Sequence, residues 1–194
     1  MRPAQDLPQA LVDEFVGVAH GDFARVKAML AERPALLNAR ASFDETALGA
    51  AAQMGRRDMA EFLLAAGAPM DICTAAMLGL KERVEAFLMA DPGQAQARGA
   101  HGIPVLYYPV ISGRQDIAEL LLAHGAEINA GEGGSPPLHG AVMFGLTEMA
   151  AWLLAHGAGV NIRNYEQKTP LRAALDRGDT AMADLLQQHG GTEG

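Results

Sequence analysis

Residues 135–161 read SPPLHGAVMFGLTEMAAWLLAHGAGVN, and this stretch decides the fold. A short segment of small residues ends at Gly145, and a second segment with Met149 and Leu153 on one helical face runs on to Gly157. Glycine supplies the left-handed residue that ends a helix, and apolar residues four apart form one face of a helix. The stretch therefore predicts two short antiparallel helices with a turn at Gly145.

The same pattern recurs along the whole chain. The turn glycine is repeated at Gly21, Gly55, Gly79, Gly113, Gly145 and Gly178. Most of these are followed twelve residues later by a closing glycine, at Gly67, Gly125, Gly157 and Gly190, whereas Pro34 and Pro92 mark the end of the segment in the first and third units. A helical hairpin of this length cannot bury its own apolar face. The repeats therefore predict a solenoid of stacked units.

Two sets of short strings in the chain resemble the ankyrin-repeat family. SPPLHGA at 135–141, TPLRAA at 169–174 and TALGAA at 46–51 resemble the ankyrin signature Thr-Pro-Leu-His-x-Ala-Ala. LLAHGAEIN at 121–129 and LLAHGAGVN at 153–161 are similar to the Leu-Leu-x-x-Gly-Ala-x-x-Asn that closes each ankyrin unit. The resemblance covers about residues 11–190. It implies an all-α ankyrin-repeat solenoid with short β-hairpin fingers, in which the histidine of the motif ties adjacent loops.

We expect a single domain over residues 1–194 with about six units. Their approximate bounds are 8–40, 41–72, 73–98, 99–130, 131–163 and 164–191. Because Gly55 and Gly79 are only 24 residues apart, the third unit should lack its finger and leave a notch near Ile72. A longer period of 58 residues, seen from Gly21 to Gly79, makes the first two units look like a template for the third and fourth. We also expect Pro109 to distort the first helix of the fourth unit.

Composition excludes several classes of partner and location. The 15 basic and 23 acidic residues give a net charge of −8, which repels a phosphate backbone, so we expect no nucleic-acid binding. The chain has no long apolar run, and residues 1–8 contain an acid and two prolines where a signal peptide would be apolar. We expect a cytoplasmic protein that does not enter membranes, with Cys73 as a buried apolar residue. The rarity of lysine beside arginine is typical of a GC-rich bacterial genome.

The candidate catalytic and metal-binding residues do not form a defensible group in the sequence. His124, His156 and His189 occupy the same place in successive units, and stacked helices about 8–10 Å apart cannot share one metal ion. His20 and His101 are expected to be isolated surface residues. The glycine run at 131–134 lacks the lysine of a phosphate-binding loop and is expected to be a finger turn. We therefore expect no enzyme activity, no metal and no cofactor.

The resemblance implies that the fingers and first helices form a concave groove, with the two residues before each turn glycine facing it. Several of these positions and several finger positions are apolar, and exposed methionine and aromatic side chains form an adaptable binding surface. Sealing of neighbouring units is the alternative role for any one of them. We expect a monomer that binds another protein through Phe43, Met54, Met77, Leu78, Ile103, Ile111, Met143, Phe144 and Tyr165.

Two other functions remain open at this point. The first is an inhibitor or self-protection protein that occludes a specific enzyme, with the notch near Ile72 accepting a protruding loop. The second is a small-ligand binder or enzyme that uses a cleft beside Tyr107 and Tyr108. The lack of a catalytic grouping in the sequence counts against this last hypothesis.

Overall fold

A computed structural model of the protein describes residues 7–194, so the part of the export argument that rests on residues 1–6 lies outside the described residues. The described chain is an all-α solenoid of helical pairs, as expected, and it has no helix long and apolar enough to cross a membrane. The helices are α1 Gln9–Val18, α2 Phe23–Glu32, α3 Ala47–Gln53, α4 Arg57–Ala65, α5 Ile72–Leu78, α6 Lys81–Ala90, α7 Tyr107–Ile111, α8 Gln115–Ala123, α9 Pro137–Met143, α10 Thr147–Ala155, α11 Pro170–Asp176 and α12 Thr180–Gln188.

The helices form two layers, because each pair packs beside the next. The first helices α1, α3, α5, α7, α9 and α11 contact one another in sequence, and among the second helices α6 contacts α8 and α10 contacts α12. Leu63, Leu121, Leu153 and Leu186 on the second helices are fully buried between the layers. Cys73 on α5 is also buried, and burial raises the pKa of its thiol well above the ordinary value, as expected for an apolar core residue.

Glycines with left-handed backbone end the helices at the predicted places. Five of the six turn glycines have φ between +64° and +75°, and the four closing glycines have φ between +85° and +103°. Other residues are strained in this region of backbone conformation, so the glycines fix where each helix stops. Gly21 is the turn glycine that does not have a positive φ.

Pro109 changes where the first helix of the fourth unit begins. In the second unit α3 starts directly after Thr46, whereas α7 starts only at Tyr107, three residues after Pro104. This late start places Pro109 in the first turn of α7, where a helix needs no backbone N–H. The expected distortion is therefore a shortened helix.

The period of 58 residues is visible in the structure. The bounds of α2 and α6, and those of α4 and α8, are each offset by this number of residues. The contacts repeat as well: Arg56 Nη1 donates to the carbonyl oxygen of Gly21 at 2.6 Å, and Arg114 Nη1 donates to that of Gly79 at 2.7 Å. The first two units and the next two therefore share one packing arrangement.

The third unit lacks a finger, as predicted. Helix α5 begins directly after Asp71, whose carboxylate accepts a hydrogen bond from the Thr74 backbone N–H at 2.7 Å. The fingers of the second and fourth units are held by single β-bridges, between Arg40 and Thr46 and between Arg98 and Pro104.

The expectation of an open notch near Ile72 is wrong. Ile72 is buried, and the finger of the fourth unit lies against the second unit in place of the missing finger. A Cβ atom placed on Gly49 would lie 3.5 Å from the Cβ of Ala100, and the Phe43 ring stacks on the His101 ring at 6.2 Å. Losing one finger therefore brings its two neighbours into contact.

Candidate functional site

A groove of about 600 Å³ opens on the concave face of the solenoid, a volume within the range of ligand sites. It is lined by residues from the second, fourth, fifth and sixth units. The apolar lining residues are Met54, Ile103, Tyr107, Val142, Met143 and Tyr165. The groove therefore spans most of the concave face and is built from residues far apart in the chain.

The walls of the groove are exposed apolar side chains on a rigid floor. Met54 and Met143 are 38% and 41% exposed, and Tyr165 on the sixth finger is 71% exposed. The floor includes the buried ring of Tyr107, which packs so closely on α9 that a Cβ atom on Gly140 would lie 2.8 Å from its Cε2. The groove thus offers adaptable methionines and one projecting aromatic ring above a fixed base.

The sixth unit adds charged side chains at one end of the groove. Lys168 Nζ lies 3.2 Å from a Glu166 carboxylate oxygen and 3.1 Å from Asp176 Oδ2, and Arg172 pairs with Asp176 Oδ1 at 2.8 Å. The hydrogen bond from Lys168 lowers the pKa of Asp176 below its ordinary value. These groups, with the exposed Arg177, can bind the polar parts of a partner.

The structure divides the predicted partner-binding residues into two groups. Phe43, Met54, Met143 and Tyr165 are exposed, and Phe144 is partly buried. The other four, which belong to the third and fourth units, are at most 7% exposed and pack inside the solenoid: Met77, Leu78, Ile103 and Ile111. The expectation of one continuous apolar stripe is therefore wrong in its middle, where sealing between units is the role of the side chains.

Phe144 helps to explain this burial, since it reaches across the concave face. A Cβ atom placed on Gly55 would lie 3.5 Å from Cε1 of Phe144 and 3.7 Å from Cδ1 of Ile111. Phe144 belongs to the fifth unit and Gly55 to the second, and Phe144 packs against the main core. The intervening third and fourth units are therefore shielded from solvent at this point.

A second group of polar residues lies between the fingers. Glu45, whose side chain is fully buried, has Oε2 3.4 Å from His20 Nε2 and 3.2 Å from His101 Nε2. Gln53 donates from Nε2 to Glu45 Oε1 at 2.8 Å. The expectation that His20 and His101 are isolated is wrong, because the missing finger brings the fourth finger next to the second.

The environment of Glu45 has opposing effects on its carboxyl group. Burial raises the pKa of Glu45 above its ordinary value, while His20 and His101 act to lower it. In sequence Glu45 follows Asp44 and looks like part of an exposed acidic pair. Asp44, however, has φ of +61° and is exposed, whereas Glu45 points inward. Only the backbone conformation separates the two residues.

The remaining motif residues have structural roles. His139 donates from Nε2 to the carbonyl oxygen of Ile162 at 2.8 Å, which ties adjacent loops as the resemblance implied. His124 and His156 bond through Nδ1 to carbonyl oxygens of their own helices at 2.9 and 2.8 Å. The glycine run forms a finger turn, since the Gly134 N–H donates to Gly131 O at 2.8 Å.

The tyrosine pair contributes only one ring to the groove. Tyr107 lines the groove, while Tyr108 is 1% exposed and belongs to the core. Burial raises the pKa of both phenols well above their ordinary value, so both stay protonated at neutral pH. The arrangement provides packing surface and no ionised tyrosine for acid–base chemistry.

Comparison with known families agrees with the repeat architecture. The family model described as ankyrin repeats (3 copies) matches residues 16–132, which is more than half of the chain. A second model, described as ankyrin repeats (many copies), matches residues 138–187. A comparison with curated proteins finds no match. The repeating helical pairs, the left-handed glycines and these matches together show that the chain belongs to the ankyrin-repeat family.

Proposed function

We propose that the protein binds a segment of another protein in the concave groove formed by Met54, Met143 and Tyr165. Ankyrin repeats are generally protein–protein interaction modules, and the family is typically non-enzymatic. The observation that supports this groove is its open volume of about 600 Å³ lined by exposed apolar side chains. Water must hydrate this surface in the free protein, so covering it with an apolar partner is favourable.

The geometry favours a partner segment with one or two large apolar side chains. Tyr165 stands on a finger whose backbone is fixed, since the Tyr165 N–H donates to Gly134 O and the Gly133 N–H donates to Arg163 O, both at 2.8 Å. A fixed aromatic side chain loses little conformational entropy on binding. The apolar residues of the partner would contact Tyr165 and Met143, while Lys168 and Asp176 would bind its polar groups.

The test is an equilibrium binding measurement with single-residue variants. A partner captured from the native cells would be identified and purified, and its dissociation constant measured by calorimetry. We expect Met143→Asp and Tyr165→Ala to weaken binding at least about tenfold, which is about 1.4 kcal/mol. Met89→Asp is the matched control, because Met89 is 82% exposed but lies on α6, outside the groove.

The result that contradicts the proposal is an unchanged dissociation constant in both groove variants. Each variant must keep the melting temperature of the parent protein, so that weaker binding cannot come from unfolding. Phe144 is unsuitable for this test because it packs against the core.

The proposal includes a single domain with the six units given above, acting as a monomer in the cytoplasm of a bacterium. Light scattering of the purified protein would test the monomeric state. The inhibitor hypothesis depended on an open notch near Ile72, and the filled notch removes its support. A small-ligand site beside Tyr107 would coincide with the proposed groove, so a small molecule that displaces the captured protein would favour that alternative.

A further inference from the structure

Three side chains from separate units converge at the contact between the second and fourth fingers. Nε2 of His20, Oε2 of Glu45 and Nε2 of His101 lie within 4.8 Å of one another. The carboxylate oxygen is 3.4 Å from the first nitrogen and 3.2 Å from the second. In a tetrahedral zinc site with bonds of about 2.0–2.1 Å, two ligand atoms are about 3.3 Å apart. Two of the three separations already have this length.

The His20 ring is held in the tautomer that a metal ion requires. Its Nδ1 lies 3.1 Å from the carbonyl oxygen of Gly17. Since a carbonyl oxygen only accepts hydrogen bonds, Nδ1 carries the proton, and in the neutral ring the lone pair of Nε2 points toward Glu45. Metal-binding histidines are commonly oriented by such a bond from the other ring nitrogen.

Gln53 holds two of the three candidate ligands in place. Its Nε2 lies 2.8 Å from Glu45 Oε1 and 2.8 Å from His20 Nε2, so one amide group can donate to both. Gln53 itself is buried, on the last turn of α3. The bond to Glu45 uses Oε1 and leaves Oε2 directed at the two histidines. This arrangement supports the ligands from outside, as the partners of metal ligands do.

The charge of the site is incomplete without a cation. The Glu45 side chain is 0% exposed, and within residues 7–194 its ion-pair partners are the two histidines and no lysine or arginine. A buried carboxylate is costly unless a positive charge compensates it, and two neutral imidazoles supply none. The side chains of His20 and His101 are 33% and 46% exposed, so a metal ion and a water molecule can reach them from solvent.

We propose that His20, Glu45 and His101 bind a zinc ion that joins the first, second and fourth units. Two imidazoles and one carboxylate form a ligand set that zinc prefers over the hard cations Mg²⁺ and Ca²⁺, and water would complete the tetrahedron. The bound ion would neutralise Glu45 and fix the fourth finger on the second. Because Gln53 and His101 also line the concave groove, zinc would stabilise one of its walls.

The test is zinc titration of protein first freed of metal by a chelator. We expect one zinc ion per chain by calorimetry, a rise in melting temperature with zinc, and no comparable rise with Mg²⁺. Replacing zinc by Co²⁺ should give the visible absorption of a tetrahedral nitrogen–oxygen site. Glu45→Gln and His101→Ala should abolish the stoichiometric binding, and Gln53→Ala should weaken it about 10–100-fold.

His124→Ala is the matched control, since this histidine is exposed and bonds only to its own helix. It should leave the stoichiometry and affinity for zinc unchanged. The His101→Ala variant is expected to fold, because the side chain is 46% exposed and lies in a finger, and circular dichroism would verify this. Zinc binding that persists in both Glu45→Gln and His101→Ala, or a parent protein that takes up no zinc at micromolar concentration, would overturn the proposal.

Discussion

Thr74 carries a buried hydroxyl group that has no hydrogen-bond partner within residues 7–194. The residue is 1% exposed on α5, and an unsatisfied buried hydroxyl costs about 1–3 kcal/mol. Thr74→Val keeps the shape of the side chain and removes the polar atom, so we expect the free energy of unfolding to rise by about 1 kcal/mol. Urea denaturation measures the change. Thr74→Ala is the control and should be less stable than the valine variant, whereas a valine variant weaker than the parent would contradict the prediction.

His139 predicts a loss of stability in mild acid. Burial lowers its pKa below the ordinary value of 6.5, so below that pH the unfolded chain binds a proton that the folded chain resists. The free energy of unfolding should therefore fall as the pH decreases through about 6.5. His139→Asn does not titrate, and its melting temperature should change less between about pH 7.5 and 5.5 than that of the parent. Equal slopes for the two proteins would contradict this assignment.

The loops of neighbouring units are joined by the asparagine that closes each repeat. Asn129 Oδ1 accepts from the Gly159 N–H at 2.7 Å, and Asn161 Oδ1 accepts from the Thr192 N–H at 2.7 Å. In the third unit, which has no such asparagine, Gln96 donates to the carbonyl oxygen of Gly125. The same joint is therefore made along the second half of the solenoid by two different amides.

We expect Asn129→Ala to reduce the free energy of unfolding by about 1–2 kcal/mol, because it leaves the Gly159 N–H without its acceptor. Asn129→Asp keeps the acceptor oxygen and loses only the longer bond from Nδ2 to the Gly157 carbonyl oxygen, at 3.4 Å. Its loss should be smaller. Urea denaturation of the two variants checks this order, and an aspartate variant as unstable as the alanine variant would contradict it.

The elements of the fold could be predicted from the sequence because their signals are local. Turn glycines such as Gly55 and Gly145 end helices through their own backbone, and the short interval before Gly79 showed the missing finger. The position of the fourth finger could not be predicted in this way. It depends on how units two apart stack, and so does the meeting of His101 with Glu45.

At the scale of the whole molecule, the missing finger and Phe144 have related effects. The second and fourth fingers touch through Phe43 and His101, and Phe144 brings the fifth unit close to Gly55 of the second. Units of a solenoid ordinarily contact only their neighbours, so such contacts resist opening of the concave face. The exposed groove begins where this closed region ends, between Met54, Met143 and Tyr165. Curvature thus decides which of the apolar residues remain available to a partner.

Phe144→Ala tests this account of the curvature. Removing the ring deletes packing between the second and fifth units, so we expect the free energy of unfolding to fall by about 2–3 kcal/mol. The radius of gyration measured by X-ray scattering should increase, because the concave face is freer to open. Met143→Ala, a change at the adjacent residue, whose side chain is 41% exposed, should alter both quantities much less. If the two variants match in stability and radius, Phe144 does not hold the solenoid closed, and the burial of Ile111 must depend on its own unit alone.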